Sequence, residues 1–284
     1  MSLARAELEG VLAKACRLDV VAFKPGNVSL CSAGHGMRAQ DFLHSARVAV
    51  PGLCVPQAQV GARIESAMGA TMAAVGCNTN LGIVLLLAPL AAAVQGAGGG
   101  TLRARLARVL AALSREDAAA CFRAIRLAQP AGLGRVAQGD VHEAPALDLL
   151  AAMQLAAGRD RIAAAYVSDY AEVFDLGLPT LIAARARWRS LAWATTACYL
   201  HLLAAAPDTH IDRKWGSALA MEVSERARAV ETALKACENP RAVVAQLRAF
   251  DDQLKSRGVN PGTSADLTVA SVAVLLLQER LASQ

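Results

Sequence analysis

The stretch Gly76-Cys77-Asn78-Thr79-Asn80-Leu81-Gly82 interrupts a run of twenty-eight residues, Ala67 to Val94, that carries no charge. Asn, Thr and Gly are poor helix formers, because their side chains compete for the backbone or, for Gly, because ordering the chain costs entropy. Inside an apolar run they mark a buried turn between two core helices, with Asn80 or Thr79 capping the second by accepting from a free N–H. The same residues are open to a second role. The side-chain amides and the free N–H groups of a helix beginning near Leu81 can face a polar ligand, because a helix N-terminus attracts anions. Both roles fit an all-α fold built around a buried central helix pair.

Working outward, Leu81 to Val94 is apolar throughout, but its fourteen residues are too few to span a bilayer. It reads as a buried core helix. On its N-terminal side, a first helix over Leu3 to Val21 stops before Phe23-Lys24-Pro25-Gly26-Asn27, where Pro and Gly halt propagation. The loop that follows runs to about Arg38 and carries Lys24, Asn27, Ser29, Ser32 and His35. A short helix over Asp41 to Val50 and a longer one over Gln57 to Val75, holding Glu65, complete this half.

On the C-terminal side, Gly96 to Gly100 reads as a flexible loop; no strand precedes it and no Gly-Lys-Ser/Thr follows, so it is not a phosphate loop. Leu102, Leu106, Val109, Leu110 and Leu113 recur at helical spacing. Gln129 to Gly134 breaks the chain, and Asp140 with Glu143 has the spacing of a capping box for a helix to about Ala157. Further helices are expected over Asp160 to Asp175, Pro179 to Ala206 and about Ile211 to Cys237, and no strand-type alternation occurs. The last helix opens after Gly258-Val259-Asn260-Pro261-Gly262, with Thr263 and Asp266 spaced as a capping box and a buried stripe at Leu267, Ala270, Val274, Leu277 and Leu281.

No Pro/Ser-rich linker or change of composition divides the 284 residues, so one domain is expected; 55% hydrophobic and 19% charged residues exclude disorder. Seven cysteines, odd in number and without a C-x-x-C pair, read as reduced thiols, and neither they nor the five histidines have metal-ligand spacing. The charge of +5 is scattered and aromatics are 4%, which argues against nucleic acid and for a small polyanion such as a nucleotide. Met1 to Gly10 has no apolar signal-type core, so a cytoplasmic protein with no membrane partner is expected. An Ala-rich helical surface is compatible with a homodimer.

Pro207-Asp208-Thr209-His210-Ile211-Asp212-Arg213-Lys214 concentrates two acids, a His and two cations at a helix junction. Either Asp208 or Thr209 caps the helix and the cations are solvated, or the carboxylates hold Mg²⁺ and the cations hold phosphate. Such polar helix ends can converge on one cavity.

The set resembles the triphosphoribosyl-dephospho-CoA synthases. The resemblance rests on Lys24-Pro25-Gly26-Asn27, His35, Asp41-Phe42-Leu43 and Ser45-Ala46, Glu65, Asn78-Thr79-Asn80 with Gly82, Asp208-Thr209-His210, and Asn260 to Leu267. It implies an all-α enzyme that joins the ribose 5-triphosphate part of ATP to the 2'-hydroxyl of 3'-dephospho-CoA and releases adenine. Where those synthases usually read Asn-Thr-His-Lys-Gly, this chain has Asn78-Thr79-Asn80-Leu81-Gly82, and Pro130 to Gly134 replaces an Arg-Gly-Glu-rich segment. It is similar to a divergent branch, for which another acceptor in methanopterin-type cofactor synthesis, or silent nucleotide binding, is the alternative. The resemblance implies one site in which Lys24, Arg213 and Lys214 hold the triphosphate and Asp208 and Asp212 bind its Mg²⁺. Glu65 or Asp41 would be the base, Asn78 and Asn80 would read ribose or adenine, and the helix after Gly262 would face phosphate. Asn27, His35, Thr79, His210, Thr263 and Ser264 join that site.

Overall fold

The computed structural model describes residues 2–96 and 98–283; Ala97, in the expected glycine-rich loop, lies outside them. Among the described residues the chain is helical, with no strand beyond isolated bridges at Ser29–Ser32 and Gly34–Met37. The first helices are α1 (Arg5–Val21), α2 (Ala39–Leu53), α3 (Val60–Val75) and α4 (Leu81–Gln95). Then come α5 (Leu102–Ala111), α6 (Arg115–Ala128), α7 (Leu149–Ala156), α8 (Arg161–Val167), α9 (Leu178–Trp188) and α10 (Leu191–Ala205). The chain closes with α11 (Thr209–Trp215), α12 (Ser217–Ala236), α13 (Val244–Ser256) and α14 (Gly262–Ala282).

Helix α4 is apolar all round and buried from Leu81 to Ala91, the pattern of a helix enclosed on every side. It packs on α14, whose residues from Leu267 to Leu277 are buried, and α1 packs on α14 as well, so both chain ends meet in the core. Pro89 within α4 has no N–H, which leaves the carbonyl of Leu85, four residues earlier, without its helical donor. The buried Tyr166 hydroxyl of α8 donates to that carbonyl at 2.7 Å, and Tyr170 donates to Leu86 O at 3.0 Å. A break in one helix thereby fixes the position of another.

Several boundaries differ from those expected. Asp140 starts no helix: its carboxylate accepts from Val136 and His142 N–H and closes a loop, Pro145 follows, and α7 begins behind the true cap, Asp148. The helix expected over Pro179 to Ala206 divides where Arg189 turns left-handed and Ser190 caps α10. That expected over Ile211 to Cys237 divides at Gly216, at φ 90. The one expected over Asp160 to Asp175 ends at Val167, and a π-helical turn, Glu172–Gly177, leads into α9. Helices α6 and α13 are additions. All seven cysteines are free, and burial pushes the thiols of Cys121 and Cys198 up to about 12.

Replacing Tyr166 by Phe strands the Leu85 carbonyl without a donor in the core. The expected loss is about 1–3 kcal/mol of unfolding free energy, read by urea denaturation, with a smaller loss for Tyr170→Phe, whose acceptor keeps its helical donor.

Candidate functional site

A cavity of about 580 Å³ opens where the N-terminal ends of α4, α11 and α14 meet, facing α7, α8 and the loop from Pro130 to Val141. Its polar lining includes Asp19, Asn27, Asn78, Asn80, His210 and Asp266, and its apolar lining includes Leu85, Phe122, Ile125, Leu149, Met153 and Ile162. A volume of this order suits a nucleotide-sized ligand.

The floor is built on a buried charge. Lys24 has 0% of its surface exposed and donates to Asp19 and to Asn27 Oδ1, the latter at 2.8 Å. Its ammonium also lies 5.9 Å from the ring centre of Tyr199. Asn27 Nδ2 then donates to Asn260 Oδ1 at 3.0 Å, tying the loop after α1 to the turn before α14. The same loop is clamped from the other side, because Gly26 N–H donates to Asp251 of α13 at 2.7 Å. An ammonium taken wholly out of water must find such partners.

Asp208 organises two helix starts at once. It is completely buried, and its carboxylate accepts from the N–H of His210 at 2.9 Å, of Ile211 at 3.2 Å and of Ser264 at 2.7 Å. Thr263 Oγ1 accepts from His210 N–H at 3.1 Å, so α11 and α14 share their caps. Burial holds the His210 imidazole below its usual range; Asp208 opposes this, and Arg213, Lys214 and His35 add to it. Arg161 completes the frame: its buried guanidinium pairs with Glu172 and donates to Leu202 O and Ser264 Oγ.

Two groups on the wall lack protein partners. Asn80, 8% exposed, leaves its Oδ1 unbonded, while Asn78 Oδ1 caps α4 by accepting from Leu81 N–H at 3.1 Å. The Gly82 and Ile83 N–H groups, in the first turn of α4, have no acceptor within the helix and also line the cavity. Asp266 faces this turn so closely that a Cβ on Gly82 would lie 2.0 Å from its Oδ2. Burial, with Asp19, Asp208 and Asp160 nearby, holds the Asp266 carboxyl well above the usual carboxylate range, and Lys24 opposes them.

The structure brings together on the cavity lining Asn27, Asn78, Thr79, Asn80, His210, Asp212, Arg213, Gly262 and Thr263 of the expected set. Others are elsewhere. Glu65 lies at the surface in a two-point pair with Arg123, at 2.6 and 2.8 Å, and is no base for this cavity. Asp41 caps α2 by accepting from Arg38 N–H at 2.7 Å. Lys24 is sealed beneath the floor and cannot reach a phosphate, whereas Lys214 is exposed with its ammonium 5.1 Å from the Trp215 ring centre. His35 Nε2 contacts Gly26 O at 2.8 Å, and Ser264 Oγ accepts from Arg161. Asp208, spent on backbone amides, is not free to bind a metal, and among the described residues no three His, Cys, Asp or Glu side chains are grouped to hold one. A magnesium held by Asp208 with Asp212 does not fit. Thr263 and Asp266 form no capping box, because the N-cap position is Pro261, whose side chain accepts nothing, and Asp208 takes the Ser264 N–H instead.

Sequence reasoning missed Asp19 and Asn260, and gave Asp266 only a structural role. Asp19 sits within α1, five residues before Lys24, and its pairing with that lysine was the available signal. Asn260 lies in a loop that the sequence marks, but local spacing does not point to Asn27 as its partner.

Removing the ammonium by Lys24→Met strands Asp19 in the core. The variant is expected to lose about 3–5 kcal/mol of stability, and Asp19→Asn combined with it to recover part of that loss, both read by chemical denaturation.

The family model for ATP:dephospho-CoA triphosphoribosyl transferase matches residues 5–284. A crystal structure from Archaeoglobus fulgidus, provisionally described as a triphosphoribosyl-dephospho-CoA synthase, is similar in fold, with a TM-score of 0.64 and 22% identity over 83% of this chain and 98% of that one. No curated protein sequence matches the chain.

Proposed function

Because the chain belongs to the ATP:dephospho-CoA triphosphoribosyl transferase family, a family of transferases, we propose that it moves the ribose 5-triphosphate of ATP to an acceptor hydroxyl with release of adenine. The observation that carries this reading to particular residues is the cavity at the meeting of α4, α11 and α14, with the unbonded Asn80 Oδ1 on its wall. Breaking an N-glycosidic bond leaves positive charge on the ribose, in an oxocarbenium-like transition state. Carboxylates already facing that carbon lower its energy, because they need no reorganisation as the charge appears. Asp19, on the polar side of the cavity, is the acid suited to this.

The triphosphate faces the start of α14, where the Thr263 N–H and the dipole of a 21-residue helix favour anions, and the guanidinium of Arg213 beside it. Arg213 is held at the cavity by Ala131 O at 3.0 Å and by Asp160 at 3.2 Å. Asn78 and Asn80 supply amides for ribose hydroxyls or the edge of adenine. Magnesium, in this reading, enters as the counter-ion of ATP.

The acceptor is 3'-dephospho-CoA or another alcohol. One feature favours the second: at the positions where the related synthases usually carry His and Lys, this chain has Asn80 and Leu81, so no cation of that segment meets a phosphorylated acceptor. Apolar walls from Phe122, Ile125 and Met153 suit a less charged partner.

Adenine measured by chromatography after incubation with ATP and Mg²⁺, with and without 3'-dephospho-CoA, tests the reading. Adenine release that depends on an acceptor alcohol is expected, from dephospho-CoA or from another alcohol offered in its place; ATP that binds and stays intact with every acceptor alcohol offered overturns it. Arg213→Ala should weaken ATP binding about tenfold, the loss of one charge-assisted contact, with little change in melting temperature.

A further inference from the structure

Asp266 differs from the three acids that act on it most closely, Asp19, Asp208 and Asp160. Asp19 is paired with Lys24, Asp208 is spent on three backbone amides, and Asp160 caps α8 while contacting Arg213. Asp266 alone among these four has neither a hydrogen bond nor an ion pair with any described residue, although it lines the cavity. The backbone is cut to admit it: Gly82 has no side chain where a Cβ would be 2.0 Å from Oδ2 and 2.6 Å from Cγ of Asp266. Next to it, the unbonded Oδ1 of Asn80 independently marks the same wall as a place for a polar ligand.

We infer that Asp266 is the proton carrier of the transfer, giving a proton to the departing adenine and then taking one from the acceptor hydroxyl. The inference rests on the transferase reading given above. As the bond from the ribose anomeric carbon to the adenine nitrogen breaks, its electron pair stays on adenine, which is protonated by Asp266. The acceptor oxygen forms the new bond to that carbon and passes its proton to the Asp266 carboxylate. The cycle closes with no other reactant, and one side chain serves as acid and then base.

The surroundings are arranged for this. Asp19 from α1, Asp208 ahead of α11 and Asp160 ahead of α8 all disfavour a charge on Asp266, Lys24 favours one, and His210 shares the cavity. Burial adds the largest push toward the neutral form, which is the form that the first step uses. Asp19, paired with Lys24, and Asp266, without a partner, thus meet different surroundings on one lining.

The test uses the full chain and its Asp266→Asn variant, in which the amide copies the neutral carboxyl in shape but cannot donate and re-accept a proton in its place. ATP binding by calorimetry should change less than threefold, while adenine release with the acceptor that the wild type uses falls about 100-fold or more. The wild-type rate should decline as pH rises through the range in which Asp266 ionises. A carboxyl whose pKa is higher folded than unfolded makes stability fall as pH rises between the two values, so the Asn variant should melt no lower than wild type at neutral pH. If it fails to fold, Asp266→Glu, which keeps the carboxyl, is the second variant, expected to retain activity with a shifted pH profile. A further readout separates proton transfer from a structural role: a ribosyl triphosphate with a cationic leaving group, which departs without a proton, should restore much of the rate in Asp266→Asn. Retention of more than a tenth of the wild-type rate with ATP by Asp266→Asn overturns the inference while leaving the transferase reading intact. No adenine from the wild type with any acceptor overturns both.

Discussion

A lysine ammonium with no exposed surface governs much of this structure. Lys24 must be neutralised where it sits, and the partners that do this, Asp19 and Asn27, come from α1 and from the loop after it. Asn27 hands the network on to Asn260, at the entry of the last helix. Residues more than two hundred positions apart are thereby held side by side, and the polar floor of the cavity is the result. The same pairing occupies Asp19, whereas Asp266, on the same cavity lining, has no partner among the described residues.

The frame around the floor is set by defects in otherwise regular helices. Pro89 frees a carbonyl that Tyr166 takes, which seats α8 on α4. Asp208 caps α11 and reaches Ser264 in α14, aligning the two helix starts. Arg161 spans α8, α10, α14 and the π-helical turn. Gly82 removes a side chain where α4 meets Asp266 of α14. The polar knot between α3 and α4 is thus both a structural turn and a wall of the candidate site, because a helix start has donors to offer whichever partner arrives.

The fold class was legible in the sequence, since an uncharged apolar run and three-and-four spacing leave little choice but buried helices. Boundaries were less so where a single residue decided them: Gly216 and Arg189 break long apolar patterns by backbone conformation, which periodicity does not register. Asp140 has the spacing of a cap but closes a loop, because spacing is blind to the proline that follows it. For the site, the asparagines of the central knot, Arg213 and the Gly262–Thr263 turn were found from local chemistry and do line one cavity. Glu65 and Lys24 were misjudged for opposite reasons. A lone Glu in an apolar helix looks purposeful until its surface partner Arg123 is seen, and a lone Lys in a polar loop looks like a phosphate ligand until its burial is known. Asp266 was hidden by an S/T-x-x-D pattern that explained it too well.

In the proposed reaction the nucleotide occupies the cavity between α4 and α14, ribose toward Asp266 and phosphates toward Gly262 and Arg213. A crystal structure with a non-reactive ATP analogue tests it most directly. Density for the ribose is expected within contact distance of Asn80 and Asp266, with the phosphate chain at the start of α14. An analogue bound with its ribose away from Asp266, or outside this cavity altogether, would contradict it.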